Sequence, residues 1–171
     1  MVELRPGTPD DEQALLDLFD EAVTWLVARG QPEQWGSEPW SGSERHRAFV
    51  GDLARHERFV IAEEDGAVVG ASVVGEPMPY APPPREPEHY IRLLVTSRRH
   101  RGRDIGGLLV DDVLHAAREA GVELVRVDCY AAPGLVAWYE RHGFVAVQRL
   151  PVGAVEVCVL EQRVAPATRD N

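Results

Sequence analysis

The sequence predicts an α/β fold built on a mixed sheet. Three observations carry this. Short β-type runs alternate with helix-period runs along the chain. Glu64-Asp65-Gly66 stands between two apolar runs as a hairpin turn. Leu94-Val95-Thr96 leads through a basic, glycine-bearing turn, Arg101 to Gly107, into an apolar-periodic helix. Hairpins and crossovers in one chain need antiparallel and parallel neighbours in the same sheet.

Val2 to Arg5 alternates and reads as the first strand. Thr8-Pro9-Asp10-Asp11 is a helix start, with a capping hydroxyl, proline in the first turn and an acid three residues after the cap. Leu15, Leu18, Phe19, Ala22 and Leu26 follow at helical spacing, and Gly30 ends the helix. Trp35 and Trp40 lie in a Gly/Pro/Ser-rich loop, where they either line an apolar substrate pocket or anchor the loop on the core. A second helix is expected over Glu44 to Glu57, then strands at Phe59–Ala62 and Val68–Val74. Six prolines between Pro77 and Pro87 exclude regular structure and predict a surface loop carrying Tyr80. Tyr90 to Val95 is the next strand. Ile105 to Ala120 is a helix with Leu109, Val113, Ala116, Ala117 and Ala120 on one face, stopped by Gly121. A strand over Glu123–Tyr130, a short helix over Leu135–His142, and strands at Phe144–Val147 and Val155–Val159 complete the chain. Residues 1–163 are expected to form one domain and 164–171 a flexible tail.

At 171 residues the chain is long enough for a real core. No apolar run approaches the roughly 18 residues of a membrane span, and Met1 to Arg5 does not read as a signal peptide. Cys129 and Cys158 stand isolated in apolar stretches without metal-ligand spacing. They are expected to be buried and reduced, in a cytoplasmic protein that binds no metal. The formal net charge of −10 argues against nucleic-acid binding. It favours cationic substrates at long range, or serves solubility alone. Against that background Arg92, Arg98, Arg99, His100, Arg101 and Arg103 gather at the glycine turn, which points to a local anionic ligand. Backbone N–H groups at a glycine turn and helix start are suited to phosphate.

The spacing Arg101-x-x-Asp104-x-Gly106 resembles the R/Q-x-x-G-x-G/A loop of the GNAT superfamily of acetyl-CoA-dependent N-acetyltransferases. Trp138-Tyr139-Glu140-Arg141-His142-Gly143-Phe144 resembles the same superfamily's YE-x-x-GF helix end. The resemblance implies a GNAT fold, with about seven strands in a mixed, mostly antiparallel sheet flanked by helices. It implies that acetyl-CoA binds along Leu94, Val95 and Thr96 and along Arg101, Gly102, Arg103, Asp104, Ile105, Gly106 and Gly107. It also implies Tyr139 as the general acid that protonates the departing thiolate. Two positions depart from the pattern: Asp104 stands where the loop has glycine, and Ala132 where many members have a cofactor-touching asparagine. The bases of the family often lie on the strand before the turn. The matching positions, Tyr90 and Arg92, are unconvincing as bases, which leaves Glu88 or His89. The expected activity is acetylation of a primary amine on a small molecule, with Trp35, Trp40 and Tyr80 around the acceptor. The alternatives are a non-catalytic acyl-CoA-binding module and a protein or peptide N-acetyltransferase. A homodimer is left open.

Overall fold

The computed structural model describes residues 1–167. Seven strands share one sheet in the order β1-β2-β3-β4-β5-β7-β6. They are β1 (Glu3–Pro6), β2 (Arg58–Glu64), β3 (Ala67–Gly75), β4 (Glu88–Thr96), β5 (Leu124–Tyr130), β6 (Val145–Val152) and β7 (Val155–Arg163). The helices are α1 (Glu12–Ala28), α2 (Glu44–Leu53), α3 (Ile105–Glu119) and α4 (Pro133–Arg141). β4 and β5 are parallel, whereas β1/β2, β5/β7 and β6/β7 are antiparallel. The sheet is therefore mixed, as the sequence predicts. The chain divides into two compact units, Met1–Val73 with Leu93–Leu109, and Val74–Arg92 with Val110–Asn171.

In the first unit α1 begins later than expected, because Pro9–Asp11 forms a separate 3-10 turn. The Asp11 carboxylate accepts the Thr8 N–H at 2.9 Å and a bidentate pair from Arg5 at 2.7 and 2.9 Å. That guanidinium holds the Asp11 carboxyl below its ordinary range. α1 buries Leu15, Leu16, Leu18, Phe19, Ala22, Val23 and Leu26. These pack with Val50 and Leu53 of α2 and with Phe59, Ile61, Ala71 and Val73 of the sheet. Ala62, Val69, Ile105 and Leu109 form a second cluster. Ile61 and Ala62 are neighbours on β2 and point to opposite faces, so each serves one cluster. Gly70 permits close approach of α3: a Cβ there would lie 2.9 Å from Cγ2 of Ile105 and 3.2 Å from Cδ1 of Leu109. The hairpin between β2 and β3 turns at Asp65 and Gly66, both left-handed at φ 51° and 77°. Two positive φ values in succession make the turn that matches strand twist.

In the second unit β5 pairs along its whole length with β7, from Leu124↔Arg163 to Tyr130↔Val157. Its ladder with β4 is shorter, running from Glu88↔Leu124 to Ile91↔Val127. α3 contributes Val110, Val113, Leu114 and Ala117 to the buried set. Ala120 falls beyond the helix and is exposed, unlike the expected face. Cys129 and Cys158 sit opposite each other across β5 and β7 as buried free thiols. Val164 is buried and donates its N–H to the Glu123 carbonyl at 2.9 Å, so the expected tail is docked at its start. Residues 168–171 of that tail lie outside the described residues.

Candidate active site

The glycine turn belongs to the first unit and is held at both ends. Ser97 donates its N–H to Val69 of β3 at 2.8 Å. Glu21 of α1 accepts from the Ser97 hydroxyl and from the Arg99 N–H, each at 3.0 Å. Arg98 stacks on the Trp25 ring at 3.9 Å, and Arg29 lies over the same ring at 4.7 Å. Burial, then the neighbouring charge of Arg101, pushes the Arg98 guanidinium below its ordinary pKa. Arg103 pairs with the buried Glu64 carboxylate. Between these anchors Arg99 and the stretch from Arg101 to Asp104 are exposed, while Ile105 and Gly107 are buried. Gly102 takes φ 81° and Asp104 φ 50°, both left-handed. Leu94, Val95 and Thr96 end β4 in this unit, with Val95 buried and the other two half-buried.

Asp104 explains itself in this geometry. Its position requires a left-handed backbone, which glycine takes freely and aspartate tolerates better than most residues. Its carbonyl accepts the Leu108 N–H at 3.0 Å, the first turn of α3. Its carboxylate lies against Gly107, where an added Cβ would stand 2.7 Å from the Asp104 Cγ. The N–H groups of that first turn have no intrahelical acceptor, and a carboxylate beside them acts as a cap. The exposed basic residues, the glycines and the helix start fit the pyrophosphate of acetyl-CoA; Asp104 opposes it, as do Glu21 and Glu64, which are engaged by Arg99 and Arg103. Replacing Asp104 with glycine removes a cap and relieves a left-handed residue, two effects of about 1 kcal/mol and opposite sign. Asp104→Gly is expected to shift the melting temperature by no more than a few degrees and acetyl-CoA affinity by less than about threefold. Calorimetric titration checks this: a gain beyond tenfold would mean that the carboxylate stands where the phosphate binds.

The second unit holds the other candidates. Tyr139 is buried on α4, edge-on to Trp138 at 4.9 Å and to Phe144 at 5.7 Å. Burial, then the nearby Cys129 thiol and Asp128 carboxylate, raises its phenol above the ordinary tyrosine value. α4 starts two residues earlier than expected, with Pro133 in its first turn and Ala132 as a cap without a side-chain hydrogen bond. His89 is buried on β4.

Glu88 is not placed as a base. Arg126 of β5 engages both of its oxygens, Nη2 to Oε1 at 2.9 Å and Nε to Oε2, and both side chains are buried. Both carboxylate oxygens are occupied by the guanidinium rather than turned toward a substrate, and removing either partner would strand a buried charge. The substrate role expected for Trp40 is corrected too. Its ring stacks on Phe19 at 4.2 Å and on His46 at 4.4 Å, and its indole N–H donates to the Trp35 carbonyl at 2.9 Å. Trp35 packs half-buried on the same core cluster. Both tryptophans anchor the loop. Tyr80, by contrast, donates its hydroxyl to Asp128 at 2.7 Å, and the buried Tyr90 donates to the other Asp128 oxygen. Sequence reading missed Asp128 and Arg126. The available signal was two opposite charges inside Leu124-Val125-Arg126-Val127-Asp128, where a buried strand is otherwise apolar.

The sequence matches the acetyltransferase (GNAT) family over residues 15–144. No curated protein matches it significantly. Many solved structures share its fold at low identity. Ard1 from Thermoplasma volcanium is 23% identical with a TM-score of 0.71, over 95% of this chain and 97% of that one. The ribosomal-protein-S18-alanine N-acetyltransferase of Escherichia coli is 12% identical with a TM-score of 0.70, over 100% and 99%. The PaiA N-acetyltransferase of Thermoplasma acidophilum, solved with coenzyme A, is 14% identical with a TM-score of 0.65, over 95% and 99%. Among the described residues no helix is long and apolar enough to cross a membrane. With the family match spanning both the glycine turn and Tyr139, the chain belongs to the GNAT family and is an acetyl-CoA-dependent N-acetyltransferase.

Proposed function

We propose that this enzyme acetylates the primary amine of a small molecule by direct attack on the acetyl-CoA thioester, with Tyr139 as general acid. In this reading residues 1–163 work as one acetyltransferase domain. Acetyl-CoA supplies an activated acetyl group and a thiolate leaving group. The turn from Arg101 to Gly107 holds its pyrophosphate, and the end of β4, Leu94 to Thr96, holds its pantetheine arm. The Tyr139 phenol keeps its proton at neutral pH and shares it with the sulfur as the carbon–sulfur bond breaks, its own charge being made good by the proton that nitrogen releases.

The acceptor class rests on one observation, the fastening of the Pro-rich segment. That segment is tied to the second unit at three points: Tyr80 to Asp128 at 2.7 Å, the Pro82 carbonyl to Arg126 at 2.9 Å, and Glu86 to Arg163. A fastened segment over a strand favours a covered acceptor site, which admits a small amine more readily than a polypeptide. The resemblance to ribosomal-protein acetyltransferases keeps peptide N-termini as the second reading.

Thermal shift followed by thiol release separates these. Acetyl-CoA at a hundred times its Kd is expected to stabilise the fold by about 2.7 kcal/mol. Thiol release is then expected with small primary amines and not with peptides bearing free N-termini. Stabilisation without release from any acceptor would make the protein a non-catalytic acyl-CoA-binding module. Release from peptides alone would make it a protein acetyltransferase.

A further inference from the structure

We propose that Asp128 is the acceptor carboxylate: it holds the ammonium group of the incoming amine and takes its proton. The assignment rests on the amine acetylation proposed above and names the residue that handles the amine.

Asp128 is the first residue of β5 beyond its ladder with β4, which stops at Ile91↔Val127. Its side chain is half-buried and accepts hydrogen bonds from the hydroxyls of Tyr80 and Tyr90. Both donors are neutral phenols, so the carboxylate's charge is solvated rather than cancelled. This differs from Glu88, whose charge is matched by Arg126. The surrounding groups leave that charge in place. Arg126 lies 5.5 Å from the Tyr90 ring but is committed to Glu88 and the Pro82 carbonyl. Arg92, near Tyr80, donates to the Glu76 carbonyl at 2.8 Å. The Cys129 thiol is pushed up to about 12, chiefly by burial, and stays neutral. Tyr139 also feels the Asp128 charge, and it holds its proton.

The two phenols differ in kind. Tyr90 is fully buried, which fixes one carboxylate oxygen. Tyr80 is 36% exposed and comes from the Pro-rich segment. An ammonium N–H can replace the Tyr80 hydroxyl on the second oxygen and forms a stronger, charge-assisted hydrogen bond there. The net charge of −10 helps draw such a cation in.

The step balances as follows. Asp128 takes one proton from R–NH3+, leaving R–NH2. The nitrogen forms its bond to the thioester carbonyl carbon, and the carbon–sulfur bond breaks. Sulfur takes the Tyr139 proton, and the phenolate recovers the second proton released by nitrogen. One proton leaves through Asp128 to solvent. The products are the acetamide and free CoA thiol.

The test compares Asp128→Asn with wild type on two kinds of acceptor. One is the best primary alkylamine from a panel, cationic at the assay pH; the other is an aromatic amine, neutral there. The variant is expected to bind acetyl-CoA within about twofold of wild type and to lose kcat/KM for the alkylamine by about 10²-fold. Raising the pH should restore much of that loss, because it deprotonates the amine in solution. The aromatic amine should lose less than about fivefold. Equal losses on both acceptors, or wild-type kinetics, would overturn the assignment of Asp128 alone. A wild-type enzyme that binds acetyl-CoA but releases no thiol with any amine would overturn the acetylation reading instead. If Asp128→Asn does not fold, inhibition of wild type decides. The N,N-dimethyl derivative of the alkylamine should compete at least about tenfold better than its uncharged carbon isostere. Equal inhibition by the two would overturn the proposal.

Discussion

Tyr139→Phe is expected to lower turnover by roughly 10²-fold or more while acetyl-CoA affinity changes little. The substitution keeps the ring and both edge-on contacts, to Trp138 at 4.9 Å and to Phe144 at 5.7 Å. What it removes is one hydroxyl, and with it the proton offered to the leaving sulfur. Burial makes the phenolate costly, and the nearby Cys129 and Asp128 add to that cost. The acid therefore stays protonated well past the ordinary tyrosine value of about 10, and wild-type kcat should not fall through neutral and mildly alkaline pH. An acetyl donor with a weakly basic thiolate needs less protonation, so the variant's deficit should shrink with such a donor. Wild-type turnover in the variant, measured with a confirmed amine, would reduce Tyr139 to a packing residue and leave the acid role to water.

Local chemistry made most elements readable. Gly30 and Gly121 both take positive φ, at 70° and 68°, and each follows the helix it was expected to end. Asp65-Gly66 turned as its residue types require. Errors arose where a breaker is tolerated by position. β6 runs through Pro151 because it is the last strand of the sheet, and an edge strand can spare one N–H. α4 takes up Pro133 because a helix's first turn has no use for that N–H.

The site was legible only in part, and the reason is range. The glycine turn and Tyr139 lie in contiguous patterns that a strand–turn–helix and a helix end impose. Glu88 was misjudged because its partner, Arg126, lies on a neighbouring parallel strand that no local pattern links to it. The same blindness hid Asp128, whose two phenol donors come from a loop and from β4. Trp40 stood in a loop by composition, yet it stacks on Phe19 from α1 and shares that helix's core. Packing of that kind is decided by tertiary neighbours, not by sequence spacing.

Gly106→Val is expected to weaken acetyl-CoA binding at least tenfold, about 1.4 kcal/mol, without loss of fold. The glycines around the turn serve different ends. Gly102 has φ 81°, so any side chain there strains the backbone whether or not a ligand binds. At Gly107 an added Cβ would lie 2.7 Å from the Asp104 Cγ and displace that carboxylate. Gly106 lies in the first turn of α3, half-exposed and without the positive φ that constrains Gly102. Valine is a better helix former than glycine by a few tenths of a kcal/mol, so the melting temperature should hold or rise slightly. The branched side chain instead covers the first-turn N–H groups, which a pyrophosphate must approach closely to use them. Loss of affinity with retained stability would thus report the phosphate contact and nothing else. A folded variant that binds acetyl-CoA as wild type does would remove the pyrophosphate from this turn.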